Sequence, residues 1–190
     1  MFARTALLLS LTALASCAAN PPRAAQELFD EQNGSTLTVA AKPLVFARTR
    51  SDVAAHARDF ATLVAIENDR SGEYQQFLLL YRWSTVDKRM SPPPGADLGK
   101  LKILADARSV ELTPLQGLPV SLKKRRELHV PAHGEVSAYA YAVDAALLRF
   151  IASSRELAVR MPQEPLDTPF ALFEDGRPAL LDFVKRVGAP

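Results

Sequence analysis

The stretch FATLVAIENDRSGEYQQFLLLYRW, residues 60–83, decides the fold. Between Phe60 and Glu67 the side chains alternate, with Thr62, Val64 and Ile66 on one face and Ala61, Leu63 and Ala65 on the other. A period of two is the mark of a strand. Val53, Ala57, Phe60 and Val64 also fit a helical stripe, and strand is the reading carried forward. Asn68-Asp69-Arg70-Ser71-Gly72 is a turn cluster. Tyr74 to Trp83 then places Phe77, Leu79, Tyr81 and Trp83 on one face and Leu78 and Leu80 on the other. A strand apolar on both faces belongs in the middle of a sheet that is covered on both sides. The two segments are therefore expected to form the central hairpin.

Working outward, Leu101–Ala105 and Ser109–Thr113 read as further strands, bounded by the loop Ser91-Pro92-Pro93-Pro94-Gly95 and by Pro114. Arg126–Val130 is a short strand candidate. Val136–Val143 is a clearer one, with Tyr139 and Tyr141 on one face and Ala138, Ala140 and Ala142 on the other. Its small face suits close packing against a helix or a second sheet. At Asp144 the period changes to about 3.6. Asp144 is an N-cap for a helix whose stripe is Leu147, Leu148, Ile151 and Phe150. Leu157, Val159 and Met161 return to strand, as does Phe170–Phe173. After Asp175-Gly176 a last helix sets Leu180, Leu181, Val184 and Val187 inward. Upstream of the hairpin, Thr36–Arg48 is strand broken at Lys42-Pro43, either an edge strand or two short ones, because Pro has no N–H for the ladder. The expected fold class is α+β: a mostly antiparallel sheet, curled or split into two layers, with two short helices in the C-terminal third.

The N-terminal segment has a different character. Arg4 precedes an apolar run from Ala6 to Ala15 that contains Leu7, Leu8, Leu9, Leu11 and Leu14. This is the layout of an export signal. It is too short to span a hydrocarbon core, which takes about 20 apolar residues. The run closes on Leu14-Ala15-Ser16-Cys17, and Cys17 is the single cysteine of the chain. An ordinary signal cut after Ala19 is the competing reading. In these four residues the chain resembles bacterial lipoproteins, whose motif is an aliphatic residue, two small residues and cysteine. The resemblance implies cleavage before Cys17, diacylglycerol thioether-linked to its sulfur and an acyl group on its amine. It also implies sorting to the outer membrane, since Ala18 stands where Asp would retain the protein in the inner membrane. Several acyl chains make a stable anchor. On this reading residues 1–16 are the signal, 17–34 a tether with Pro21-Pro22, and 35–190 one globular domain. Ala24–Gln32 within the tether has room for a helical turn or two, with a thin apolar face.

Composition bounds the rest. A chain of 190 residues with 48% apolar content builds one sizeable core, and a net charge of +2 makes no electrostatic case for nucleic acid. No cysteine other than Cys17 exists to form a disulfide, so packing must supply the stability. The eight glycines fall in no phosphate-loop pattern, and there is no GxSxG elbow. His129 and His133 are four apart, but Pro131 forbids a helix between them, and no cysteine completes a zinc set. They read as surface histidines around a turn. His56 stands near Asp52 and Asp59, and His133-Gly134-Glu135 pairs an acid with a base without a nucleophile. No catalytic, cofactor or metal residue is assigned, and no cofactor is expected. The run Lys123-Lys124-Arg125-Arg126 reads as a solvated loop, with anionic head groups as its alternative partner. Phe77, Tyr81, Trp83, Tyr139 and Tyr141 read as core aromatics.

The expected role is that of a non-catalytic envelope lipoprotein. It would be held to the membrane by Cys17 and would dock on another envelope protein as an accessory or assembly factor. A lipid- or small-molecule-binding module is the alternative, and a hydrolase a third.

Overall fold

Strand β4 (Arg58–Arg70) pairs antiparallel with β5 (Glu73–Ser84) along its whole length, from Asp59 opposite Ser84 to Arg70 opposite Glu73. The computed structural model describes residues 25–31, 33–86, 100–123, 128–132, 136–161 and 168–187. Residues 1–24 with Cys17, the proline run at 91–95, Lys124–Arg126 and His133-Gly134-Glu135 lie outside the described residues. The turn between β4 and β5 is only Ser71-Gly72, with φ of 55° and 86°. Positive φ at both central residues is the tight hairpin turn whose twist matches the flanking strands. Asn68, Asp69 and Arg70 therefore continue the strand, and Asp69 accepts from the Gly72 N–H at 2.9 Å.

Strands β2 (Ser35–Ala40) and β3 (Leu44–Thr49) both lie on the other edge of β4, one after the other. The expected break at Lys42-Pro43 is where one continuous strand divides in two. The register against β4 advances by two residues there, from Val39 opposite Ile66 to Leu44 opposite Leu63. At that point the sheet forks. β1 (Ala25–Asp30) pairs with β2. On the other branch β3 is followed by β10 (Phe170–Glu174), β9 (Leu157–Arg160), β6 (Leu101–Ala105) and β7 (Arg108–Leu112). Beyond β5 lies β8 (Ser137–Val143). Every pairing is antiparallel and the ten-stranded sheet does not close.

Helix α1 (Ala145–Ser153) starts at Asp144, whose carboxylate accepts from the Leu147 N–H at 2.7 Å. It buries Leu148 and Ile151. Helix α2 (Arg177–Val187) packs on α1 and across β2 and β1. Its buried stripe is Leu180, Phe183 and Val184, while Leu181 and Val187 are half-buried flanks, so the stripe is centred on Phe183. The α+β class, antiparallel with two short helices near the C-terminus, is the observed one.

Both faces of the central hairpin are buried, as its composition requires. The inner face (Leu63, Ala65, Leu78, Leu80, Phe46, Tyr141) packs with the helices and with Ile103, Val159 and Phe170 of the far branch. The outer face (Val64, Ile66, Phe77, Leu79, Tyr81, Ala140) is covered by Leu122 and Leu128. Here the structure departs from expectation. The alanine face of β8 meets neither helix nor strand among the described residues, but the stretch that carries the 3-10 turn Val120–Leu122, together with Leu128. Small side chains leave room for such a segment to lie close. The candidate strand at Arg126–Val130 is, where described, a turn with His129 at φ +57°.

The stretch 25–30 is also corrected. It is strand and not helical turn, and six residues that the tether reading assigned to the spacer are in the sheet. One half-buried side chain on each face, Ala25 and Leu28, suffices for an edge strand, whereas a helix needs a continuous stripe.

Candidate functional site

The end of the sheet where β3 finishes and β4 begins carries two different surfaces back to back. Arg48, Asp59 and Ser84 form one row across β3, β4 and β5. Period-two alternation turns all three to the inner face, at the edge of the core. Arg48 Nη2 donates to Asp59 Oδ2 at 2.8 Å, and Arg50 Nη1 donates to the same oxygen at 3.2 Å. Ser84 Oγ donates to Asp59 Oδ1 at 2.9 Å. Arg50 also donates through Nε and Nη2 to Asp52, at 2.9 and 2.8 Å. The Arg48 guanidinium lies 4.3 Å above the Phe170 ring. Arg48, Arg50 and Asp59 are each under a tenth exposed.

Charge placement sets the local titration. The hydrogen bond to Asp52 raises Arg50 above its ordinary value, and the same bond holds the Asp52 carboxyl below its own. Nearby, burial pulls the half-buried Arg82 guanidinium down. Burial also pushes the Tyr141 phenol up, and its hydroxyl has no hydrogen-bond partner among the described residues. This arrangement holds the Asp59 carboxylate in place. Both Asp59 oxygens are engaged, and Ser84 Oγ also lies 3.2 Å from the Arg58 carbonyl.

The outer face of the same strands is aromatic. Phe60 and Trp83 are stacked at 4.0 Å with planes 7° apart, and Phe173 meets Phe60 edge-on at 5.6 Å. The Arg58 guanidinium caps Phe173 at 5.1 Å. Trp83 Nε1 donates to Thr62 Oγ1 at 3.2 Å. Alternation from the inward Phe170 and Leu172 turns Phe173 to this face, and the pairing of β10 with β3 shifts register there, between Leu172 and Glu174. Phe173 is 51% exposed.

The residues singled out in the sequence are dispersed. His56 is exposed in the turn before β4. His129 is part-buried beside the end of β2, where its Nε2 is 2.9 Å from the Ala40 carbonyl oxygen. It is a structural contact and not a surface residue. Lys123 follows the 3-10 turn Val120–Leu122 as its C-cap. Tyr81 and Tyr141 are core, as expected, but Trp83 belongs to the half-exposed aromatic cluster. The arginine–aspartate cluster was not found in the sequence. Its one signal was an arginine at the inward position of a strand, after Leu44 and Phe46. Among the described residues no group of three or more acidic, histidine or cysteine side chains is placed to hold a metal ion, and no helix is long and apolar enough to cross a membrane. No family model, curated protein or solved structure matches this chain.

Proposed function

We propose that the chain is a lipid-anchored envelope protein that acts by docking on another envelope protein and not by catalysis. The anchor rests on Leu14-Ala15-Ser16-Cys17, with outer-membrane sorting suggested by Ala18. The docking half is carried by one observation, the cluster of Arg58, Phe60, Trp83 and the exposed Phe173 on the outer face. Tryptophan, aromatic and arginine side chains held in fixed mutual packing are the composition that dominates protein interfaces. The buried Arg48–Asp59–Arg50 network lies directly behind that cluster and stiffens the strands that present it.

Two experiments test this. Cys17→Ser removes the sulfur on which the thioether forms, so the protein should leave the membrane fraction and lose its acyl label; a label that persists contradicts the anchor. A photo-crosslinking side chain in place of Phe173 should give one recurring adduct in cells, lost in Trp83→Ala while the domain remains folded. Adducts that vary between preparations, or that survive Trp83→Ala, contradict the docking site.

A further inference from the structure

The residues that lead from Cys17 to the fold are few once β1 is known to be a strand. Seven residues, 18–24, separate Cys17 from Ala25. Whatever their conformation, they carry Ala25 at most about 28 Å from the lipidated residue. Ala25 is itself fixed, paired with Ala40 of β2. From there β1 runs to Phe29, about 13 Å further on at the usual strand rise.

Phe29 heads a row that crosses four strands: Phe29, Thr36, Asp69 and Tyr74. The two aromatic side chains at its ends are each 65% exposed, while Thr36 and Asp69 between them are half-buried. The row spans about 14 Å at the usual strand spacing. It lies just past the end of α2, whose Arg186 pairs with Glu27 one row back on β1. Lys185 pairs with Asp182. Those cations are matched by acids, and Glu31, Arg70 and Glu73 are the exposed charges at the neighbouring turns. With Asp69 in the row itself, acids outnumber cations at this pole by two, so what it offers a membrane is aromatic surface and not positive charge. The Phe60–Trp83 row is nine residues away along β4, about 30 Å.

We propose that this pole, through Phe29 and Tyr74, rests on the bilayer that carries the Cys17 lipid. The proposal rests on the lipobox reading. A phenyl ring and a phenol suit the level where acyl chains meet head groups. Two side chains are too few to hold the protein without its lipid, so the contact orients the domain. The Phe60–Trp83–Phe173 cluster is then presented away from the membrane, toward a partner. The contact is carried by the two rings and owes nothing to attraction between cations and anionic lipid, so on a zwitterionic bilayer added salt leaves it unchanged.

Lipidation of Cys17 leaves no free thiol, so single cysteines can be labelled cleanly. The lipidated protein carrying Phe29→Cys, Tyr74→Cys or Phe173→Cys is modified with an environment-sensitive fluorophore. It is then reconstituted in phosphatidylcholine–phosphatidylethanolamine vesicles containing doxyl-labelled phospholipid. Labels at positions 29 and 74 should lose more than half their emission to the doxyl lipid, with no change on adding salt, and the label at 173 should keep its emission. Equal behaviour at all three positions, with the lipid confirmed by intact mass, overturns the proposal. So does shielding at 29 and 74 that requires a second protein. A mass lacking the lipid, with Cys17 itself taking the label, overturns the anchor and the proposal with it.

Discussion

Asp59 accepts from two guanidinium groups in a place where water is largely excluded, and its loss is the most costly single change near the site. Breaking a buried ion pair from one side leaves the other charge uncompensated. Asp59→Ala should therefore cost about 3–5 kcal/mol, read as a shift in the urea midpoint at unchanged slope; a cost near zero would mean the arginines reach water. Tyr141 presents the opposite case. Its ring is fully buried in the inner core and its hydroxyl has no partner among the described residues. Tyr141→Phe removes a polar atom that gains nothing on folding, so stability should be unchanged or rise by about 1 kcal/mol. Thermal unfolding decides this, and a clear loss would reveal a partner for the hydroxyl. Neither residue's situation is legible in the sequence. Arg48 and Asp59 are eleven residues apart, and only the register of β3 on β4 makes them neighbours.

At the scale of elements, the break between β2 and β3 does the most to shape the protein. Without it the two strands would run on as one and the sheet would not fork. The break is held by contacts distant in sequence. His129 sits on the Ala40 carbonyl, and Gly176, just before α2, lies against the Pro43 carbonyl. A Cβ on Gly176 would stand 2.2 Å from the Pro43 oxygen, a separation no real contact allows, and both partners there are backbone. Gly176→Ala should force α2 off the sheet and cost about 1–3 kcal/mol, with weakened amide protection in α2 and β3 as its signature. Full retention of stability and protection would show that the contact relaxes freely. Pro43 announced the break in the sequence, since it cannot join a ladder. The role of Gly176 was hidden, because a glycine before a helix reads as ordinary turn chemistry until a second backbone is seen beside it.

For the whole molecule, the central hairpin couples the two faces. Leu79 is fully buried on the outer face, and its neighbours Leu78 and Leu80 are fully buried on the inner one. Leu79→Asp puts an unpaired carboxylate in that position and should unfold the domain, since desolvating a charge exceeds the small net stability of a single domain. Circular dichroism and a melting curve like those of the parent would contradict the placement of β5 at the centre. The same hairpin sets the distance between the Phe29–Tyr74 row and the aromatic cluster, so both proposed contacts depend on its integrity.

Patterning by itself determined the antiparallel class, the central hairpin, the capped helix at Asp144 and the helix that ends the fold. These depend on side-chain period and on local backbone chemistry, which act within a few residues. Tertiary structure alone decided four things: that residues 25–30 join the sheet, that the stretch with the 3-10 turn covers the outer face, that Phe183 centres α2, and that Arg48 and Arg50 close on Asp59. Each is settled by what lies across from a residue, and a chain read in order does not contain that partner. An edge strand in particular takes its conformation from the open ladder beside it. Residues 25–30 have little propensity of their own, and β2 supplies the hydrogen bonds that make them a strand.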